Sequence, residues 1–195
     1  DLFIADKDLQ VTGVSRMNPT YLNRDYMYCL ENLKSLPSGA WLFTRELGDK
    51  IFPIPDGIPF EDVWCSLIIK KYSEHIKYVS EGLYYYRQHG RQTYGGLMNF
   101  DESILIFRAN RMLTLIKQLE NDPNGLLLKD VNDRNVLSAS KSFYTLMANT
   151  RISLMGIILS RLSIGMKTRL ILYKKLKSII PFVLKLKWNL TSRKQ

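Results

Sequence analysis

Residues 61 to 71 read EDVWCSLIIKK, and this stretch decides the fold. Two acidic residues, Glu61 and Asp62, come first, a mainly apolar run over 63–69 follows, and two lysines close it. Acids at the start and bases at the end match the dipole of an α-helix. The stretch therefore predicts an apolar helix.

The segments before and after this helix predict a small α/β body. A proline-rich loop at 53–59 leads into the helix, and 44–47 is expected to form one helical turn. The other predicted elements are strands at 2–5 and 40–43, β-prone runs at 76–79 and 83–87, and a helix that starts at Asn18-Pro19 and ends before Pro37.

Beyond residue 100 the apolar spacing is helical. It predicts helices over 101–120, 129–149, 151–164 and 167–188, the last interrupted at Pro181. The sequence thus predicts the α/β fold class, with an α/β domain at 1–100 and a helical, basic region at 101–195.

The net charge of +10 is unevenly distributed along the chain. Residues 1–133 hold all 18 acidic residues and 15 basic ones, whereas 134–195 hold 13 basic residues and no acidic one. The hydrophobic content of 46% is that of a globular protein and excludes disordered or collagen-like classes. A slightly acidic body therefore carries a basic tail.

The two cysteines, Cys29 and Cys65, have neither CxxC spacing nor a histidine cluster beside them. This pattern predicts no disulfide framework and no zinc site, and it fits a reducing compartment. The sequence shows no signal peptide and no apolar run long enough to span a membrane. The chain begins at Asp1 in a strand-like run, which is typical of a fragment.

Three motifs between Ser38 and Gly96 occur in a characteristic order: LFTREL at 42–47, FED at 60–62, and EGLYYYRQH at 81–89. In this order the region resembles the second half of the catalytic domain of family 2 glycosyltransferases, the bacterial type that builds capsular, lipopolysaccharide and teichoic-acid glycans. The resemblance covers residues 1 to about 96. It implies a partial GT-A (Rossmann-like) domain followed by a helical C-terminal region.

The resemblance implies a site for inverting sugar transfer. Such transfer needs a base that removes the acceptor hydroxyl proton and positive charge that holds the departing diphosphate. By resemblance, Asp62 is the base, and Glu61 contacts the acceptor or positions the loop. Taken alone, the two carboxylates also fit a structural role at the helix N-terminus.

Arg87, His89 and Trp41 are the further candidates for contacts with donor or acceptor. In the similar enzymes the region of Arg87 and His89 lies beside the donor diphosphate, so both are expected to contact it there. A solvated strand end is the alternative for this pair. Trp41 is interpreted either as an acceptor-stacking residue or as a core residue, and the tyrosines of the 83–87 run are expected in the core.

The resemblance also implies a Mn²⁺ or Mg²⁺ ion bound through an Asp-x-Asp motif. Asp6-Lys7-Asp8 has this spelling. Its position relative to Asp62 instead favours a metal motif upstream of Asp1, in a nucleotide-binding half that this chain lacks. The stretch alone is then expected to be inactive.

In the basic tail, lysines flank aliphatic residues from Lys167 onward, and a tryptophan, Trp188, lies near the end. This pattern predicts an amphipathic helix on an anionic membrane surface. Packing on the body and nucleic-acid binding are the alternatives, and we favour the membrane and expect no nucleic-acid partner.

The expected partners are therefore a nucleotide-sugar, a glycan or lipid-linked acceptor, and an anionic membrane. The expected location is cytoplasmic, peripheral at the inner face of the cell membrane. The alternative function is a non-catalytic basic membrane- or partner-binding protein built on a truncated glycosyltransferase fold.

Overall fold

The computed structural model describes residues 1–15, 22–36, 41–87, 102–122, 125–149, 151, 153–160 and 162–175. In these ranges the chain forms a mixed α/β structure with three strands and seven helices. The strands are β1 (Leu2–Ala5), β2 (Val11–Ser15) and β3 (Tyr85–Arg87). The helices are α1 (Tyr26–Asn32), α2 (Arg45–Ile51), α3 (Glu61–Tyr72), α4 (Glu102–Glu120), α5 (Val131–Ala148), α6 (Leu154–Leu159) and α7 (Ile164–Lys175).

Helix α3 lies at the centre of the core. All of its residues from Val63 to Ile69 are buried, so the helix is surrounded by protein rather than packed along one face. Its polar groups are satisfied internally: Trp64 Nε1 donates to the carbonyl oxygen of Ile51 at 3.0 Å, and Ser66 Oγ accepts from the Leu36 amide at 2.7 Å. These bonds tie α3 to the end of α2 and to the segment after α1.

The C-terminal end of α3 is bound to the start of α5 by a buried ion pair. Lys71 Nζ lies 2.7 Å from Asp133 Oδ2, and the two side chains are 16% and 4% exposed. Lys71 also donates to the carbonyl oxygen of Leu127 and lies over the ring of Tyr26 at 4.5 Å. The same Asp133 oxygen accepts from the Lys129 amide at 3.0 Å, so this carboxylate orders the connection before α5.

One hydrophobic core includes residues from both sides of position 100. Leu30 of α1 and Ile68 of α3 belong to the same cluster as Leu115 of α4 and Phe143 of α5. Ser140 of α5 is buried and donates to backbone carbonyls of α1. The α4–α5 pair is therefore packed against the body and completes its core.

The three strands form one sheet in the order β2-β1-β3. The central strand β1 pairs antiparallel with β2 and parallel with β3, and Ala5 is opposite Arg87 in the register. A tight turn joins β1 to β2, in which Leu9 adopts a left-handed conformation with φ of 62°.

Several predicted elements are confirmed. The central helix α3 is one residue longer than predicted. Residues 52–60 are non-helical and contain the predicted proline-rich loop. The predicted turn at 44–47 belongs to the longer helix α2, which Thr44 caps by accepting a hydrogen bond from the Leu47 amide. Helices α4 and α5 occupy most of the predicted 101–120 and 129–149. Cys29 and Cys65 form no disulfide, in line with the prediction, and both are buried.

The strand predictions are wrong at two places and incomplete at a third. Residues 41–43 and 76–79 form no strand, because Trp41 and Ile76 in these runs pack against the helical core instead of pairing with the sheet. Strand β2 was not predicted. Strand β3 covers only part of 83–87, and Tyr85 and Tyr86 are exposed rather than in the core.

The helix boundaries also need correction. Helix α1 begins only at Tyr26, because Asp25 accepts from the Tyr28 amide at 2.8 Å and caps it there; the predicted start at Asn18-Pro19 lies outside the described residues. The predicted 151–164 helix is limited to α6, since Ser153 caps its start and the chain leaves the helix at Ser160. Helix α7 begins earlier than 167, and Pro181 lies outside the described residues.

We predict that Lys71→Met lowers the free energy of unfolding by about 3 to 5 kcal/mol, because it leaves Asp133 buried without its counter-charge. The matched control is Lys141→Met, which breaks the exposed Lys141–Glu120 pair and is expected to cost about 1 kcal/mol or less. Urea unfolding monitored by circular dichroism measures both. Equal losses in the two variants would show that the buried pair has no special role.

We also predict that neither cysteine reacts with a thiol reagent in the folded protein, whereas both react in urea. Burial raises the pKa of both thiols, and burial together with nearby Asp62 raises that of Cys65 from 9.0 to about 11. The Cys65 thiol ionises at a lower pH in the unfolded chain than in the folded protein. The free energy of unfolding should therefore also fall as the pH rises from 9.0 to about 11. Absorbance assays with Ellman's reagent test the first part, and rapid native labelling would refute it.

Candidate functional site

The two predicted catalytic carboxylates occupy the first turn of α3. Glu61 is exposed, and Asp62 is partly buried with its Oδ1 atom accepting from the Val63 amide at 3.0 Å. Both carboxylates also complement the N-terminal end of the helix dipole, which is the structural role that the sequence offered as the alternative for them. Because the following seven residues are buried, the backbone that carries Asp62 is firmly held.

The loop that leads into α3 is fastened by α4. Arg111 donates from Nη2 to the carbonyl oxygen of Pro59, and its guanidinium lies 4.4 Å from the centre of the Phe60 ring. Gly57 has φ of 79°, and a Cβ there would lie 3.0 Å from the side-chain nitrogen of Gln118. Sequence patterns did not indicate Arg111 as a site residue, because its contact joins segments 52 residues apart.

A second group of candidates lies at one edge of the sheet. Asp6 follows the end of β1, and Arg87 ends the neighbouring parallel strand β3. The carboxyl ends of parallel strands are where open α/β sheets bind ligands. The structure therefore brings the Asp6-Lys7-Asp8 sequence, the less favoured candidate for the metal motif, and the predicted phosphate contact Arg87 to the same end of the sheet, where Arg87 is exposed.

At this end of the sheet, the Asp6 carboxylate binds backbone amides of the turn between β1 and β2. Its Oδ1 atom accepts from the amides of Asp8 and Gln10, each at 2.9 Å. Asp8 pairs with Lys7 at 3.2 Å on the surface. In the part of the chain that the structure describes, no three potential metal-ligating side chains of histidine, cysteine, aspartate or glutamate cluster together. Asp6 thus orders the turn, and its carboxylate and that of Asp8 do not fit a metal centre.

Trp41 lines a different feature, a cleft of about 730 Å³ between α2 and the C-terminal end of α3. Its ring packs against the core, and its buried Nε1 atom has no hydrogen-bond partner among the described residues. His75 also lines this cleft. Tyr72, another lining residue, is ten positions along α3 from Asp62, a distance of about 15 Å along the axis. Trp41 and Asp62 therefore do not share one cavity.

His89 lies outside the described residues, so the structure adds nothing on its predicted role. Tyr84, just before β3, has its pKa raised by burial and by neighbouring Tyr86. Tyr84 therefore lies at the opposite end of β3 from Arg87.

The described part of the basic tail contacts the body through several of its cations. Lys141 pairs with Glu120 at 2.8 Å, and Arg169 donates to Asn32 at 2.8 Å while lying over the Phe143 ring. Among the described side chains of α7, Met166 and Leu170 are buried, so the first half of this helix packs inward. Most of the predicted apolar stripe, from Leu176 onward, lies outside the described residues.

Among the described residues, none of the helices combines the length and the apolar character needed to cross a bilayer.

The candidate residues thus divide into a helix-start carboxylate, a sheet edge, and a cleft at the far end of the same helix. No family model matches the chain, and neither a curated protein nor a solved structure matches it.

We predict that Asp6→Ala lowers the free energy of unfolding by about 1 kcal/mol, because two turn amides lose their acceptor. Asp6→Asn keeps an acceptor oxygen and should retain most of the stability. Asp8→Ala is the matched control and is expected to change stability by about 0.5 kcal/mol or less. Urea unfolding of the three variants measures this, and an equal or larger loss for Asp8→Ala would contradict the turn role.

Proposed function

We propose that the chain forms part of an inverting glycosyltransferase of family 2 and GT-A type, acting in cell-surface polysaccharide synthesis. The donor is a nucleotide-sugar, and the acceptor is a glycan or a lipid-linked glycan. The motif order between Ser38 and Gly96 supports the family. The mixed α/β structure is compatible with it.

The observation that carries the proposal is the position of the Asp62 carboxylate. A general base must be held in place while remaining accessible to the proton it removes. Asp62 is partly buried, at the start of a helix whose next seven residues are buried, and after a loop that Arg111 fastens. One carboxylate oxygen is held by the Val63 amide, and the other is the proton acceptor in this proposal.

In the proposed reaction the acceptor hydroxyl oxygen attacks the anomeric carbon of the donor. Its proton passes to Asp62, the new carbon–oxygen bond forms, and the bond to the nucleoside diphosphate breaks on the opposite face. The leaving diphosphate carries the electron pair, so a nearby cation lowers the barrier. Arg87, at the exposed sheet edge, is the residue that we assign to this diphosphate.

The Mn²⁺ or Mg²⁺ that the resemblance implies finds no fitting ligand set among the described residues. Asp6 is engaged by its turn and Asp8 by Lys7. We therefore route no step through the metal and assign no residue of this chain to it.

We place the protein at the inner face of the cell membrane as a peripheral protein. The tail from residue 134 carries 13 basic and no acidic residues. A basic surface is attracted to anionic lipid, where lipid-linked acceptors reside. The alternative, a non-catalytic membrane-binding protein, shares this feature but requires no role for Asp62.

We predict that Asp62→Asn in the full-length natural protein lowers the rate of transfer by about 10² to 10⁴-fold, because the amide cannot take the proton. Binding of the nucleotide-sugar should be unchanged. Release of UDP from UDP-glucose, UDP-galactose and UDP-N-acetylglucosamine, with a membrane lipid extract as acceptor, measures turnover, and calorimetry measures binding.

Glu61→Gln is the matched control, since it removes a carboxylate from the same helical turn. It is expected to keep substantially more activity than Asp62→Asn. Turnover of Asp62→Asn within a few-fold of the natural protein would exclude Asp62 as the base.

A further inference from the structure

Helix α6 and the first residue of α7 expose a group of large aliphatic side chains to solvent. Met155 is 62% exposed, Leu159 74% and Ile164 84%. Leu154 and Ile158 are about half exposed and lie on the same face of α6. We call these five residues the α6 patch. A helix at the surface of a globular protein normally has polar residues on its outer face.

The α6 patch is held on a well-packed base. Four residues on the inner side of the same segment are buried in the core: Ile157, Leu162, Met166 and Leu170. Lys167 Nζ donates to the carbonyl oxygen of Ile158 at 2.8 Å and joins α7 to α6. The apolar outer face is therefore a built feature of the fold and not the consequence of a loosely attached helix.

The charged residues that flank the α6 patch along the chain are all basic. No acidic residue follows Asp133 in the chain. Arg151, just before α6, is exposed, and Lys167 lies at the other end of α6, beside Ile158. An apolar face whose charged neighbours along the chain, Arg151 and Lys167, are both cations fits a surface that is apolar inside and anionic outside. A second copy of the same face would bring like charges together, and aliphatic side chains do not stack with nucleic-acid bases.

We infer that the α6 patch inserts into the anionic phospholipid bilayer and orients the protein on it. The five aliphatic side chains enter the boundary between head groups and acyl chains, while Arg151 and Lys167 remain at the level of the phosphates. The inference deepens the membrane-surface part of the proposed function and does not depend on sugar transfer. It assigns the contact to α6, upstream of the amphipathic stripe that the sequence predicted.

The test is binding of the full-length natural protein to vesicles of equal parts phosphatidylglycerol and phosphatidylcholine, measured by flotation. Met155→Ser combined with Leu159→Ser should reduce the partition coefficient by at least about tenfold, because two exposed apolar side chains no longer enter the bilayer. The matched control is Phe107→Ser combined with Val131→Ser. These residues are 59% and 73% exposed but lie outside the patch, so binding should be unchanged.

Thermal melting of both variants verifies folding, and added salt should weaken binding of the natural protein without abolishing it. Binding that is equal in the patch variant and the control would overturn the inference. Absence of vesicle binding by the natural protein would also overturn the inference. This holds for a monomer and equally for a dimer that the patch variant abolishes. Transfer activity without vesicle binding would refute this inference alone, and vesicle binding with full activity of Asp62→Asn would refute only the role of Asp62.

Discussion

The ion pair between Lys71 and Asp133 holds the described structure together. It joins the end of the central helix to the start of α5, and the same carboxylate orders the connection between them. Two charges with side chains 16% and 4% exposed are costly to bury, and the cost is offset only when each finds full partners. Lys71 has a carboxylate, a carbonyl oxygen and the Tyr26 ring. The last acidic residue of the chain thus belongs to the body, and the excess of positive charge begins directly after it.

The central helix connects this pair to the proposed chemistry. Its C-terminal end is fixed by Lys71, its middle is buried on all sides, and its first turn carries Asp62. The loop before Asp62 is fixed separately, by Arg111 from α4. A carboxylate with both flanking segments anchored is suited to remove a proton in a defined direction, because little reorganisation is needed at the moment of reaction. The cleft lined by Trp41 lies at the opposite end of the helix, so this cleft and the proposed base are separate features.

The sequence predicted those features whose cause is local. The dipole-matched charges and the apolar run predicted α3, the clustered prolines predicted the loop before it, and the spacing of the cysteines predicted no disulfide. It failed where the cause is a partner distant in the chain. The runs at 41–43 and 76–79 have strand propensity but are not paired with the sheet, and the contact of Arg111 with Pro59 depends on how α4 packs. The sequence also did not predict the exposed apolar face of α6. Nearly all residues of this short helix are apolar, so their order does not indicate which side packs on the core and which side faces solvent.

The ion pair and the shared core are expected to make α3 and α5 one cooperative unit that holds Asp62 in place. Native-state hydrogen exchange measures this directly, because amides of one unit open with the same free energy. The slowest amides of α3, around Leu67 and Ile68, and those of α5, around Phe143, should exchange at the free energy of global unfolding, with no lower-energy opening of α5. Exchange of α5 at a distinctly lower free energy, with α3 still protected, would contradict the account.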